Sequence, residues 1–223
     1  MSKANAGILL LAMICSLPLG AQTHAADARQ AAARIDARYN RIKSLRADFT
    51  QIYSGGGIRR SESGTLWIKK PGKMRWDYRS PREKIFVTDG STAWFYLPGE
   101  RQARQTKLKK LDDLRSPLRY LLGRTRLEKE LRGLSLAPDV PPETAGDTVL
   151  RGVPVGIEDR VSQVLLECDP QGVLRRIVME EPDGSTTEFR LDNQRENVAV
   201  SDAEFSFQPP PGVEVLQSNQ LEP

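Results

Sequence analysis

Residues 66–78 read LWIKKPGKMRWDY, and apolar and polar side chains alternate on both sides of a Pro-Gly pair. Alternation with a period of two is typical of a half-buried strand, and Pro-Gly is a turn signal, so this segment predicts a β-hairpin. One face of the hairpin is apolar, with Leu66, Ile68, Met74, Trp76 and Tyr78, and the other is polar, with Lys69, Lys73, Arg75 and Asp77. The exception is Lys70, which shares the apolar face.

Short strand-like segments continue on both sides of this hairpin, separated by Ser-Pro, Asp-Gly and Pro-Gly turns in the first half and by two Gly-containing turns in the second. Residues 27–45 predict an amphipathic helix, since Ile35, Tyr39, Ile42 and Leu45 recur at helical spacing. Residues 117–122 and 126–132 predict two short helices between the halves. The fold class is therefore mainly β with short α-helices, built on a curved antiparallel sheet of ten or eleven strands. A dry-cored sandwich or barrel is the alternative.

The N-terminus predicts a secretory signal peptide. Lys3 precedes an apolar run over residues 8–19, and small residues follow it. Cleavage after Ala25 would remove residues 1–25 and leave residues 26–223 as a single exported domain. Cys15 lacks the small residue expected before a lipid-modified cysteine, so we assign it to the signal.

The mature chain would contain one cysteine, Cys168, and no histidine, because His24 leaves with the signal. An internal disulfide, a catalytic triad with histidine and imidazole ligation of zinc are thereby excluded. Carboxylate catalysis stays open, and Asp77, Glu83 and Asp89 would be the candidates for a glycan hydrolase. Turn formation before Gly90 explains Asp89 better.

Positive charge concentrates in residues 101–110 and 115–132. Such residues usually form a solvated face, and the alternative is a docking surface for an acidic protein or for anionic lipid head groups. Nucleic acid is not an expected partner of an exported protein.

The apolar face of the hairpin is either plain core or the wall of a cavity. Three short helices are little material to fill a wide sheet, and methionine suits flexible apolar ligands, so we favour a ligand cavity. Strand alternation and the first short helix supply its predicted lining: Leu66, Ile68, Met74, Trp76, Tyr78, Ile85, Val87, Trp94, Tyr96, Leu118, Leu121 and Leu122.

Five segments, in this order, resemble the outer-membrane lipoprotein carrier (LolA) family: DFTQ at 48–51, the glycine and hairpin at 64–78, residues 81–98, SPLRYLL at 116–122 and FSFQPPPGVEV at 205–215. The resemblance implies an unclosed half-barrel of antiparallel strands, covered by a helical lid over an apolar cavity. It also implies a monomeric periplasmic chaperone without catalysis, cofactor or metal. Such a carrier takes lipid-modified proteins from an inner-membrane ABC transporter to the outer membrane, often through a receptor lipoprotein.

The family usually has an arginine where this chain has Lys70, and that arginine resembles a latch to carbonyl groups of the lid. The resemblance thus implies a latch from Lys70 to the region of Leu118–Leu122. Lysine has three donors but not the planar fork of arginine. The alternative is a strand-end cation whose ammonium reaches solvent.

Other functions of the same fold stay open. The chain could be an envelope sensor or regulatory domain that binds lipids or lipoproteins, or the receptor lipoprotein of the pathway, which would need the lipid-modification motif missing at Cys15. An enzyme is the alternative from a different class.

Overall fold

The computed structural model describes residues 19–107 and 126–218. These parts of the chain contain a long helix, α1 (Leu19–Arg41), and a single-turn helix, α2 (Leu127–Glu130). The strands are β1 (Ser44–Gly55), β2 (Ile58–Lys69), β3 (Lys73–Ser80), β4 (Lys84–Asp89), β5 (Thr92–Tyr96), β6 (Gln102–Lys107), β7 (Leu131–Leu136), β8 (Thr148–Pro154), β9 (Gln163–Cys168), β10 (Leu174–Glu180), β11 (Thr186–Glu196) and β12 (Glu214–Gln217). A 3-10 helix spans Asp202–Phe205.

The twelve strands form one sheet in the order β12-β6-β5-β4-β3-β2-β1-β11-β10-β9-β8-β7. Neighbouring strands pair antiparallel, except that β12 runs parallel to β6. Strands β12 and β7 stand at opposite ends of this order, so the sheet is open. The predicted fold class, mainly β with an unclosed antiparallel sheet, is confirmed.

The opening hairpin has the register that its alternation predicts. Leu66 lies opposite Trp76, and Ile68 lies opposite Met74. Directly opposed side chains share a face of the sheet and contact one another. We call this face, which carries the main apolar core, the inner face.

Helix α1 packs against the β7–β8 end of the sheet, and its buried side consists of Ala28, Ala31, Ala32, Ile35 and Tyr39. The predicted helix extended to Leu45, whereas α1 ends at Arg41. Leu45 instead lies in β1, opposite Ile68 on one side and Glu196 on the other. Pairing on both sides outweighs the helical spacing that Leu45 shares with α1.

The second predicted short helix, residues 126–132, is also shorter in the structure. Its N-cap residue, Arg126, makes no side-chain capping hydrogen bond. After one turn the chain enters β7, where Leu131 lies opposite Pro154 of β8.

Helix α1 begins at Leu19 and so runs through the predicted cleavage point after Ala25. Removal of residues 1–25 and the single domain over 26–223 stay predictions. Across residues 19–107 and 126–218, none of the helices is both long and apolar enough to span a bilayer.

The turn between β9 and β10 touches the backbone of α1. Gly172 has a φ of 80°, a left-handed conformation that favours glycine. A Cβ on Gly172 would lie 2.7 Å from the carbonyl carbon of Arg34. The missing side chain therefore permits both the turn and the close approach of the helix.

Substitution of Gly172 tests this contact. We expect Gly172→Ala to lower the free energy of unfolding by about 3 kcal/mol, because it adds a steric clash to backbone strain. Gly184 is a matched control, since its φ is 81° and its Cβ would meet no atom within 4 Å. Gly184→Ala should cost only about 1 kcal/mol. Urea unfolding measures both, and equal losses would show that the α1 contact is unimportant.

The C-terminal segment (residues 198–217) crosses the face opposite the inner face, which we call the outer face. The Lys69 ammonium donates to the Val200 carbonyl oxygen at 2.8 Å. Asp202 pairs with Lys69 at 2.6 Å and with Lys73 at 2.8 Å. Hydrogen bonds from these two lysines lower the pKa of Asp202 to about 2. The segment then ends as β12 along the edge of β6.

Acid titration tests the attachment of this segment. A carboxyl group whose pKa is lowered in the fold stabilises the fold above its ordinary pKa of 3.8. This contribution is lost as the pH falls through about 2. We expect the NMR titration of the Asp202 carboxyl carbon to have its midpoint near that value. In a Lys69→Met, Lys73→Met double variant the midpoint should rise towards 3.8, and an unchanged midpoint would contradict the pairing.

Candidate ligand-binding face

Four aromatic rings meet at the centre of the inner face. Phe49 of β1 lies 4.4 Å from Trp76 and 4.9 Å from Tyr78, measured between ring centroids and with edge-to-face geometry. Trp76 also contacts Phe189 of β11 at 5.6 Å. We call these four residues the aromatic cluster. All four are buried, and they join strands from the two halves of the chain.

The hairpin residues predicted to line a cavity surround this cluster. Leu66, Ile68, Met74, Trp76 and Tyr78 are all buried and belong to one core cluster. The Trp76 indole N–H donates to the Met74 sulfur at 2.9 Å, which fixes the orientation of the indole. A role of these five residues in ligand binding stays a prediction.

The placement of Ile85, Val87, Trp94 and Tyr96 on the same face was wrong. Phe86 lies opposite Trp76, so the residues on either side of Phe86 point to the outer face. Val87 pairs with Trp94 and Ile85 with Tyr96, which puts all four on that outer face.

The inner face at β4 and β5 is formed instead by Phe86 and Phe95, which lie opposite one another. The segments IFV and AWFY are apolar at consecutive positions, a pattern typical of strands that are buried on both faces. This pattern of consecutive apolar residues indicates that Phe86 and Phe95 are buried as well as their neighbours.

The outer-face residues of β4 and β5 have a partner in the C-terminal segment. The Phe207 ring lies 5.5 Å from both Trp94 and Tyr96, and Phe205 is buried. The remaining three predicted cavity residues, Leu118, Leu121 and Leu122, lie outside the described residues.

Lys70 contacts α1. Its ammonium donates a hydrogen bond to the Tyr39 carbonyl oxygen in the last turn of the helix. The Lys43 N–H, which would otherwise extend the helix, donates to the Asn197 side-chain oxygen at 2.9 Å. The last carbonyl groups of a helix have no partner within it and attract cations. Burial lowers the pKa of Lys70. The contact predicted from Lys70 to residues 118–122 lies outside the described residues.

Further polar contacts hold the same end of α1 to the sheet. The Tyr39 hydroxyl donates to the Gln194 side-chain oxygen at 2.9 Å and accepts from the Leu174 N–H at 3.1 Å. Burial raises the pKa of Tyr39, so the phenol stays neutral. Arg38 pairs with Glu196 at 2.5 Å. The C-terminal end of α1 is thus attached by hydrogen bonds and an ion pair.

Two of the three carboxylates considered for catalysis, Asp77 and Asp89, make structural contacts, and the third, Glu83, is exposed. Asp77 pairs with Arg75 at 2.8 Å. Although desolvation raises the pKa of Asp89, hydrogen bonds from Thr92 and Ser91 in the turn bring it below its ordinary value. In the described parts of the chain, histidine, cysteine and acidic side chains form no group of three that could hold a metal ion.

Cys168 is a buried free thiol. Desolvation raises its pKa to about 11, so it is not a thiolate nucleophile at neutral pH. The exposed cations of residues 101–110 within the structure are Arg101, Arg104 and Lys107, next to or within β6. Their use as a docking surface stays a prediction.

The sequence also matches a known protein family. The family model described as outer membrane lipoprotein carrier protein LolA matches residues 40–208. An outer-membrane lipoprotein carrier protein from Chromobacterium violaceum is 28% identical over 211 residues, which cover 94% of this chain and 98% of that protein.

Solved structures also resemble the fold. An uncharacterized conserved protein from Thermus thermophilus has a TM-score of 0.54 at 12% identity, covering 86% of this chain and 99% of the other. A LolA superfamily protein from Nitrosomonas europaea has a TM-score of 0.45 at 13% identity, covering 81% of this chain and 97% of the other.

Proposed function

We propose, since this chain belongs to the LolA family of outer membrane lipoprotein carrier proteins, that it binds the acyl chains of lipoproteins on its inner face. In this proposal the protein works in the periplasm. It receives lipid-modified proteins from an inner-membrane ABC transporter and delivers them to the outer membrane, directly or through a receptor lipoprotein. The observation that supports this function best is the aromatic cluster on the inner face of an open sheet.

The energetics of lipid anchors require such a carrier. Each CH₂ group of an acyl chain gains about 0.8 kcal/mol from burial, so an anchored protein does not cross water unaided. A carrier must replace most of that burial with apolar surface of its own. In this proposal the aromatic cluster and the adjoining residues Leu66, Ile68 and Met74, which are buried in the empty protein, become that surface when the inner face opens.

A carrier must also release its cargo, and the attachment of α1 suits a reversible opening. The helix covers part of the inner face with small and apolar side chains. Its C-terminal end is held by Lys70, Arg38 and Tyr39. The contacts of Lys70 and Arg38 are only partly buried and are individually weak, because water competes for the same groups. The hydrogen bonds of the buried Tyr39 hydroxyl cost more to break. In the proposed cycle, an acyl chain takes the place of inner-face contacts made by α1, and the polar contacts re-form after release.

Fluorescence of Trp76 tests acyl binding. Trp67 and Trp94 lie on the outer face, so a Trp67→Phe, Trp94→Phe variant leaves Trp76 as the only tryptophan, whose emission can be excited selectively at the red edge of the absorption band. We expect a lipidated peptide to change this emission saturably and to raise the melting temperature, because a ligand of the native state stabilises it. The same peptide without lipid is the control. If neither signal responds to any acyl ligand, the carrier function is wrong.

Vesicle transfer distinguishes a carrier from a sensor of the same fold. The loaded protein should move a radiolabelled lipoprotein from inner-membrane vesicles, in the presence of their transporter, to outer-membrane vesicles. Binding without delivery would favour the sensor function.

Replacement of Lys70 tests the coupling between α1 and the ligand. Lys70→Leu removes the donor to the Tyr39 carbonyl and so weakens the closed, empty state relative to the loaded one. We expect acyl-probe affinity to rise several-fold and delivery to slow, while the free energy of unfolding changes by less than about 1 kcal/mol.

Two variants control this experiment. Lys70→Arg keeps a hydrogen-bond donor at this position and should bind the probe and deliver cargo like the parent. Lys69→Leu removes the neighbouring cation, which pairs with Asp202 on the outer face, and should leave binding unchanged. Equal binding and delivery by Lys70→Leu and the parent would indicate that Lys70 is only a strand-end cation.

A further inference from the structure

A polar pocket adjoins the apolar part of the inner face, at the end where the β1–β2 hairpin turns. It has a volume of about 140 Å³ and is lined by Gln51, Tyr53, Arg60, Glu62 and Lys84. The strand register puts these residues on the same face as the aromatic cluster: Gln51 lies opposite Glu62, Tyr53 opposite Arg60, and Lys84 opposite Tyr78.

Lys84 is the buried cation of this pocket. Only 7% of the residue is exposed. Its ammonium pairs with Glu62 at 2.7 Å and lies 4.2 Å from the centre of the Tyr78 ring. Burial of a lysine is costly unless its charge is compensated, and here one carboxylate and one ring compensate it. An ammonium has three N–H donors, so the pair with Glu62 leaves donor capacity for a further acceptor.

Arg60 makes the pocket net positive. Its guanidinium lies 5.1 Å from the centre of the Tyr53 ring. Glu62 balances Lys84, whereas Arg60 has no ion pair with a carboxylate within the described part of the chain. A guanidinium presents donors in a fork that fits the two oxygens of a carboxylate, and its single N–H groups can donate to a carbonyl oxygen. The pocket therefore favours a ligand group that accepts hydrogen bonds.

Tyr78 joins this pocket to the apolar surface. Its ring belongs to the aromatic cluster, 4.9 Å from Phe49. Its hydroxyl donates to the Gln51 side-chain oxygen at 2.7 Å. A ligand with an apolar chain and an oxygen-bearing head could thus place the chain on the aromatic cluster and the head in the pocket without crossing an intervening strand.

We propose that this pocket binds the oxygen-bearing head of an acyl ligand, a carboxylate or an ester or amide carbonyl, with Arg60 and Lys84 as donors. The inference rests on the proposed function and deepens it, because it gives the bound acyl chain a direction. The head lies at the hairpin end, and the chain extends over the aromatic cluster.

Three fluorescent probes with the same chain test the pocket: dansylaminoundecanoic acid, its methyl ester, and dansylaminoundecane, which lacks the oxygen head. We expect Arg60→Gln to weaken binding of the acid about tenfold, because hydrogen bonds to charged groups are strong. Binding of the ester should weaken about threefold through loss of a hydrogen bond to its carbonyl, and binding of dansylaminoundecane should not change.

A second variant and a matched control complete the test. Lys84→Met with Glu62→Gln removes both members of the buried pair, so that no unpaired charge is left behind. It should have the same selective effect as Arg60→Gln. Arg59→Gln alters the adjacent exposed arginine, which points to the other face, and should bind all three probes like the parent. Circular dichroism and melting temperature establish whether each variant is folded. If the double variant does not fold, Arg60→Gln, at an exposed position, still decides the test.

The outcomes separate the two proposals. Loss of acid and ester binding together supports a head that includes esterified acyl groups, and loss of acid binding alone supports a free carboxylate. If the parent binds all three probes and Arg60→Gln weakens none selectively, acyl binding stands and the head pocket is wrong. If the folded parent binds no probe and no lipidated peptide, the proposed function itself fails.

Discussion

Strand β1 is hydrogen-bonded on both sides, and the rest of the sheet depends on this double pairing. On one side it pairs with β2, its neighbour in sequence, and on the other with β11, from the far end of the chain. Without the second pairing, the strands β1–β6 with β12 and the strands β7–β11 would be separate sheets. Phe49 of β1 lies opposite Gly64 and Leu191. The contact of Trp76 with Phe189 of β11 therefore forms only when the two halves join, so the complete four-ring cluster exists only in the completed sheet.

Much of this architecture could be predicted from local alternation, and the errors have identifiable physical causes. Leu66, Ile68, Met74 and Trp76 share a face because the hairpin register follows directly from the pattern. Across the next connection, however, the number of residues in the turn decides which residue of β4 faces inwards. The composition of β4 does not reveal this number, because its apolar residues are consecutive.

The other unpredicted features depend on contacts between distant parts of the chain. Leu45 fits the apolar stripe of α1, yet pairing with two strands places it in β1. The partner of Lys70 on α1 and the pairing of Asp202 with Lys69 join groups with no local signature. The sequence places Lys70 among apolar residues, but its acceptor, the Tyr39 carbonyl oxygen, depends on where the end of α1 lies in the fold.

Aromatic side chains pack on both faces of the sheet, but different segments of the chain cover the two faces. On the outer face, Phe207 packs on Trp94 and Tyr96, and its segment is fixed on both sides of this contact, by Asp202 before it and by β12 after it. On the inner face, α1 lies near the β7–β8 end, and its last turn is attached through polar groups such as Lys70 and Tyr39. If a ligand is to replace the apolar contacts on one face, the segment that covers this face must be able to leave without breaking strand pairing. In the proposed cycle α1 is that segment, because its hydrogen bonds to the sheet are outside the strand ladder, whereas the C-terminal segment contributes a strand of its own.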